Sequence, residues 1–349
     1  MKKTQYIKYS RETSDLVAPI IDDILNETVG DESELLEIAS FFYRERRFKI
    51  LLKPILFRLS YEMCGGKKFS NFLYLAAAFE ILNISSYQAN SAFDNKMGTL
   101  SKEEKDNQFI ASMISREMSA KAIHRIEQDN ISKEIVNVLN TCISTSNMSI
   151  YKAQHYDLNL LSLYNARTTG EYIANRELFL RDYNMRCFLG SGFFSGQVAM
   201  AGAIAAGADK KEQEALRIFG EIYGTALHKI NDFGDFFPGD DRQGKLYQDF
   251  FCDIRNGRLT FPVYELITKY NDSYQEIINL LKDASVNIER ICSIISKLDI
   301  TDSVRLEAVS AYRNAKKALE IFDESESKKL MLTLLSILDS NKYFYRAKR

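Results

Sequence analysis

Proline is scarce in this chain, 4 in 349 residues, and no Pro/Gly/Ser-rich linker, low-complexity tract or short-period repeat interrupts it. That excludes a string of modules on flexible connectors and predicts one helical domain over residues 1–349, larger than most. An excess of charge of one sign is also missing: 46 Lys and Arg against 47 Asp and Glu give a net charge of −1. No global field therefore draws the chain to nucleic acid, and the basic segment Arg44 to Lys49 reads as a solvated helix face. The N-terminal MKKTQYIKYSRETSDLVAPI holds no continuous apolar core, and no later run approaches the ~20 apolar residues that span a bilayer. The expectation is a cytoplasmic protein with no membrane-spanning segment.

The five cysteines, Cys64, Cys142, Cys187, Cys252 and Cys292, contain no CxxC pair and read as reduced, mostly buried thiols. The three histidines, His124, His155 and His228, form no HExxH or similar grouping, so the spacing gives no zinc site. His228 lies one helical turn before Asp232 and reads first as a packing residue, second as the lining of a pocket. Alternation of strand and helix is absent too, which excludes a nucleotide-binding sheet fold.

What remains is helix, and enough of it to bury a large core: 46% of the residues are hydrophobic. Apolar positions recur at helical intervals from Glu34 to Cys64, and Gly65-Gly66 then breaks the pattern. A second pattern starts near Asn71 and runs through LYLAAAFEILNISSYQANSAFD toward Gly98; its small residues, Ala76, Ala77, Ala78, Ser85 and Ser86, allow close helix approach or an open pocket. A third stretch, from Phe193 to Asp232, reads as two buried helices broken between Gly207 and Asp209, and the tail from Ile288 to Tyr345 as several shorter amphipathic helices.

Two clusters carry candidate chemistry, NSAFD at Asn90 to Asp94 and NDFGD at Asn231 to Asp235. On a helix, positions i, i+1 and i+4 crowd toward one side, so two such clusters on facing helices could hold Mg²⁺ against a diphosphate. Other motifs stand in order around them: Gly65-Gly66-Lys67, Ala153-Gln154-His155-Tyr156-Asp157-Leu158, Gly202 to Gly207, Gly244-Lys245, and Asp253-Ile254-Arg255-Asn256-Gly257-Arg258-Leu259-Thr260-Phe261-Pro262. This ordered set resembles the trans-polyprenyl diphosphate synthases, the all-helical class I isoprenoid synthase family, in its GGKxxR, GQxxDL, GK and DLxxGKxTLP elements and its paired aspartate boxes.

The resemblance implies an all-α bundle around a deep central cavity, with Asp94 facing Asp232 and Asp235 across its mouth. It implies catalytic and metal-binding roles for Asp94, Asp232 and Asp235, a weak neutral metal ligand at Asn231, and diphosphate contacts from Lys67, Lys245, Gln154 and Asp157. Mg²⁺ is the implied cofactor, in fewer ions than the intact family holds, because two carboxylates of the first box are Asn90 and Ser91 and the first aspartate of the second is Asn231. The expected partners are an allylic prenyl diphosphate and a second subunit, as a homodimer or as a heterodimer with a related synthase.

Further departures fall where diphosphates bind. Ser70 stands for the arginine of GGKxxR, Lys96-Met97-Gly98 for an RRG pair, and Gly190, beside Ser191, for the lysine of a KT motif. Small Ser85 and Ser86 imply room for a long prenyl chain, against Tyr87. Asp22-Asp23 only imitates a box and reads as an exposed helix face, while Phe193, Phe194, Phe233, Phe236 and Phe237 read mostly as core. The leading reading is a diverged isoprenoid-diphosphate enzyme, a prenyltransferase with another acceptor or a terpene-cyclase-like protein. The alternatives are a catalytically inactive partner subunit of a prenyl diphosphate synthase, or a prenyl-chain binding protein.

Overall fold

The computed structural model describes residues 2–46, 50–94, 101–126, 131–163, 165–236, 253, 256–269, 279 and 300–339. Among them the regular structure is helical, and the only pairing outside helices is an isolated antiparallel bridge between Ser162 and Arg258. In chain order the helices are α1 (Lys2–Val29), α2 (Ser33–Arg46), α3 (Leu52–Met63), α4 (Leu73–Asp94), α5 (Lys102–Ile126), α6 (Lys133–His155), α7 (Ala166–Ala174), α8 (Arg176–Cys187) and α9 (Phe193–Ala205). They continue with α10 (Lys210–Phe236), α11 (Phe261–Lys269), α12 (Ile300–Ala318) and α13 (Glu326–Asp339).

Local chemistry sets many of these boundaries. Ser101 and Glu104 bond each other's backbone N–H groups at the start of α5, and Asp209 and Glu212 do the same for α10, a reciprocal capping box in both cases. Asn165 and Asn175 accept from Thr168 N and Leu178 N and so cap α7 and α8. The expected breaks at Gly65 and Gly207 are present, with φ of 85° and 78°, a conformation that β-carbon-bearing residues avoid. The pattern from Glu34 to Cys64 divides into α2 and α3. Pro54 lacks the N–H that a continuous helix would need, and a proline is tolerated within the first helical turn where α3 places it.

One buried apolar cluster runs through the assembly. Phe79 of α4 stands between Phe57 of α3 and Phe194 of α9, with ring centroids 6.3 and 6.2 Å away. Phe194 and Phe233 are buried, as their reading as core requires. Residues Arg176–Ala205 form a continuous helical segment as apolar as a membrane span, yet 67% of its most apolar window is buried inside the protein. Its apolarity is used in packing.

The seam that shapes the site is the contact between α9 and α10. Gly192 and Gly196 on one side meet Gly220 and Gly224 on the other, so that backbone approaches backbone. A β-carbon on Gly220 would lie 2.4 Å from the Ser195 carbonyl oxygen, and one on Gly224 2.3 Å from that of Ser191. These four positions, spaced by four on each helix, allow the approach that brings Ser191 against the last turns of α10.

Candidate functional site

Two wide helical turns frame the site. α6 runs into a π-turn at Tyr156–Leu160, and α8 joins α9 through another at Phe188–Gly192. Such turns insert an extra residue into the helical ladder and redirect the side chains beside it, a device common at functional sites. The first carries Asp157 of the GQxxDL-like segment, and the second carries Gly190 and Ser191. A cavity of about 460 Å³ opens beside both, lined by Tyr151, Lys152, His155, Tyr156, Met185 and Leu189.

Arg186, near the end of α8, is the hub. Its Nε donates to Asp157 Oδ1 and its Nη1 to Asp232 Oδ2, and all three side chains are buried. Tyr183 OH, one turn earlier on α8, also donates to Asp232 Oδ2, at 3.0 Å. Arg258 adds a second guanidinium, with Nη1 4.0 Å from Asp157 Oδ2 and 3.7 Å from Asp253 Oδ1. His228 Nε2 lies 3.9 Å from the other oxygen of Asp232, and its Nδ1 lies 2.9 Å from Ser191 Oγ.

The cation favours the charged form of both carboxylates, yet their net shifts are opposite. Burial alone would raise Asp157, but Arg186 and then Arg258 outweigh it and hold the group below the usual carboxylate value. For Asp232 burial prevails over Arg186, with the charge of Asp157 adding to the rise, and the group stands above its usual value. Arg186 is held well above its ordinary value because the attraction of Asp157 and Asp232 exceeds the burial that opposes it. Burial also pushes the neighbouring Cys187 thiol up to about 12.

Of the residues the sequence singled out, the fold therefore brings Asp157 and Asp232 together, through a cation between them. Asn231 is exposed while Asp232 beside it is buried. Gln154 is half-buried, and its Nε2 has no hydrogen-bond partner among the described residues. Lys67 is exposed on the loop after α3 and takes no part in the network. Asp94 closes α4 and Asp235 lies in α10, but their side chains are outside the described residues, as is Lys245 altogether.

The described residues at the second box do not fit a magnesium cluster. Mg²⁺ wants several hard oxygens in octahedral array. Here Asp232 Oδ2 is engaged by Arg186 and Tyr183, Asn231 is neutral, and the donors grouped with Asp232 among the described residues are a histidine nitrogen and a cysteine sulfur.

Sequence reasoning missed Arg186, Tyr183 and a second buried cation, Lys53, whose Nζ donates to Ser195 Oγ at 3.0 Å and sits 4.7 Å above the Phe194 ring. A signal existed for each. Arg186 falls on the stripe Phe179, Tyr183, Arg186 at helical spacing, and Lys53 interrupts the apolar run Ile50 to Phe57. A charge inside a buried stripe must be paired, so its position in the pattern alone points to a network.

Comparison with known proteins agrees with the fold. No family model matches the sequence. The octaprenyl diphosphate synthase of Haemophilus influenzae is 26% identical over 137 residues, 38% of this chain and 41% of that protein. The chain thus spans less than half of that relative's length. The heptaprenyl diphosphate synthase component 2 of Bacillus subtilis is 23% identical over 304 residues, 86% of this chain and 80% of that one. Geranylgeranyl pyrophosphate synthetase from Pyrococcus horikoshii superposes with a TM-score of 0.79 at 17% identity, over 97% of this chain and 98% of the other. The chain resembles the trans-polyprenyl diphosphate synthases and has their all-helical fold.

Proposed function

We propose that this chain is a polyprenyl-synthase-fold subunit that acts beside a related, catalytically intact synthase and does not elongate prenyl chains itself. The observation that carries the reading is the engagement of Asp232. The one carboxylate of the second box with a described environment is bound to Arg186 and Tyr183, and Asn231, Asn90 and Ser91 leave the two boxes three carboxylates short of the resembled motifs. Ionising an allylic diphosphate demands cations at the leaving group, and neutral Asn and Ser oxygens hold them poorly. The likeness to a heptaprenyl synthase named as one component supports a heteromeric role. Nothing among the described residues of the site favours the leading reading from sequence, a diverged transferase or cyclase, over this alternative.

Labelled isopentenyl diphosphate, an allylic primer and Mg²⁺ test the proposal directly. Several kcal/mol of lost cation stabilisation correspond to at least ~10³-fold in rate, so the isolated chain is expected to elongate that much more slowly than an intact synthase. Co-expressed with an intact homologue of its own cell, it is expected to co-purify with it. Efficient elongation by the isolated chain, or no association with any intact homologue, would remove the reading.

A further inference from the structure

We propose that Cys187, His228 and Asp232 form a binding site for one divalent ion of the zinc class. The ligand atoms, a thiol sulfur, an imidazole nitrogen and a carboxylate oxygen, all lie within 4.8 Å of one another. In a tetrahedral site with bonds of 2.0–2.3 Å, ligand atoms stand about 3.5 Å apart, so closure needs side-chain shifts on the order of 1 Å. His228 and Asp232 are one turn apart on α10, and Cys187 comes from the end of α8, so the site draws on two rigid helices.

What surrounds the three residues orients them as ligands. In the tautomer protonated at Nδ1, His228 donates to Ser191 Oγ, and Nε2 is the ring nitrogen that lies 3.9 Å from Asp232 Oδ1. Asp232 has its other oxygen fixed by Arg186 and Tyr183, so the carboxylate cannot rotate away. Ligating histidines and carboxylates are generally held in this manner through their distal atoms. Gly190 makes the histidine position available: a β-carbon there would lie 2.8 Å from His228 Cε1. The glycine that stands for a lysine in the resembled motif is thus what admits the imidazole.

Charge and access agree with a cation. Asp157, Asp232 and Asp253 place three carboxylates against the two guanidiniums of Arg186 and Arg258. The His228 side chain is 19% exposed, so one of the three ligands reaches solvent while Cys187 and Asp232 are buried. A nitrogen, a sulfur and a single carboxylate oxygen suit zinc and cobalt and discriminate against magnesium. Three protein ligands leave a fourth position for water. On binding, the metal replaces the Cys187 thiol proton, which passes to solvent.

Co²⁺ reads this out on the whole, metal-stripped protein, since a thiolate ligand produces a near-ultraviolet charge-transfer band. One equivalent is expected to bind with that band, to be displaced by Zn²⁺ and to resist millimolar Mg²⁺. Cys187→Ser and His228→Gln should each abolish the band and weaken Zn²⁺ binding more than ~100-fold, beyond the 10–100-fold that supporting residues typically contribute. Cys142→Ser should leave both unchanged. Circular dichroism checks that each variant is folded, and the half-buried His228→Gln decides the matter if Cys187→Ser does not fold. Absence of stoichiometric binding, a band that survives in either folded ligand variant, or displacement of Co²⁺ by Mg²⁺ would overturn the site. Prenyl elongation and subunit pairing are not read here, so this test and that of the proposed function fail independently.

Discussion

Arg186→Ala is expected to lower stability by about 3–5 kcal/mol, the usual loss when one member of a buried ion network is removed. The reason is what it leaves behind. Asp157 and Asp232 would stay inside the protein without the guanidinium that bonds both. Tyr183→Phe, which removes one hydrogen bond to Asp232, should lose only about 1 kcal/mol. Guanidinium unfolding at several pH values measures both.

The pH dependence has a definite sign. Asp157 stands below its unfolded value, so the stability it contributes is present above that value and is lost as pH falls through the lower folded one. Asp232 stands above its unfolded value and acts in the opposite sense, favouring the folded state most when protonated. Removing Arg186 raises both. The deficit of Arg186→Ala against the unmodified protein should therefore narrow as the medium becomes acidic and the orphaned carboxylates protonate. A deficit below ~1 kcal/mol, or one that does not vary with pH, would show that the network does not hold the site together.

Gly224→Leu is expected to be at least as damaging, by a different mechanism. Its first side-chain carbon would meet the Ser191 carbonyl oxygen at 2.3 Å and the Ser195 hydroxyl at 2.6 Å, and the backbone carbonyl has no rotamer to retreat into. α9 and α10 must separate along the seam, so the loss should exceed the ~1–3 kcal/mol typical of overpacking against side chains. The separation also breaks the Ser191 to His228 contact, which ties the seam to the site. Gly170→Ala on α7 is the control: nothing lies within 4 Å of the added carbon, and the change should gain up to ~1 kcal/mol of helix propensity. Equal melting temperatures for the two variants would mean that the seam tolerates expansion.

The α-helical class and the breaks at Gly65 and Gly207 were legible because they rest on local chemistry. Apolar residues at intervals of three and four and breaks such as Gly207 act within a few residues of chain. Asp157 and Asp232 were also legible, each within a recognisable motif. Their state was not. Whether Asp232 presents an oxygen to solvent or to Arg186 depends on which face of α10 meets α8, and Arg186 is 46 residues away in sequence.

The sequence by itself determined that this protein would be helical, which residues could bear charge at its two boxes, and that Asn90, Ser91 and Asn231 stand there in place of three carboxylates. Those are properties of composition and of short-range periodicity, which the chain carries whatever its neighbours. Only the tertiary structure decided that Arg186 stands between Asp157 and Asp232, and that Gly190 yields its space to His228. Only it placed Cys187 within reach of His228 and Asp232. The physical reason is that burial and pairing set the state of an ionisable group, and both are fixed by the packing of α6, α8 and α10, which no local pattern encodes.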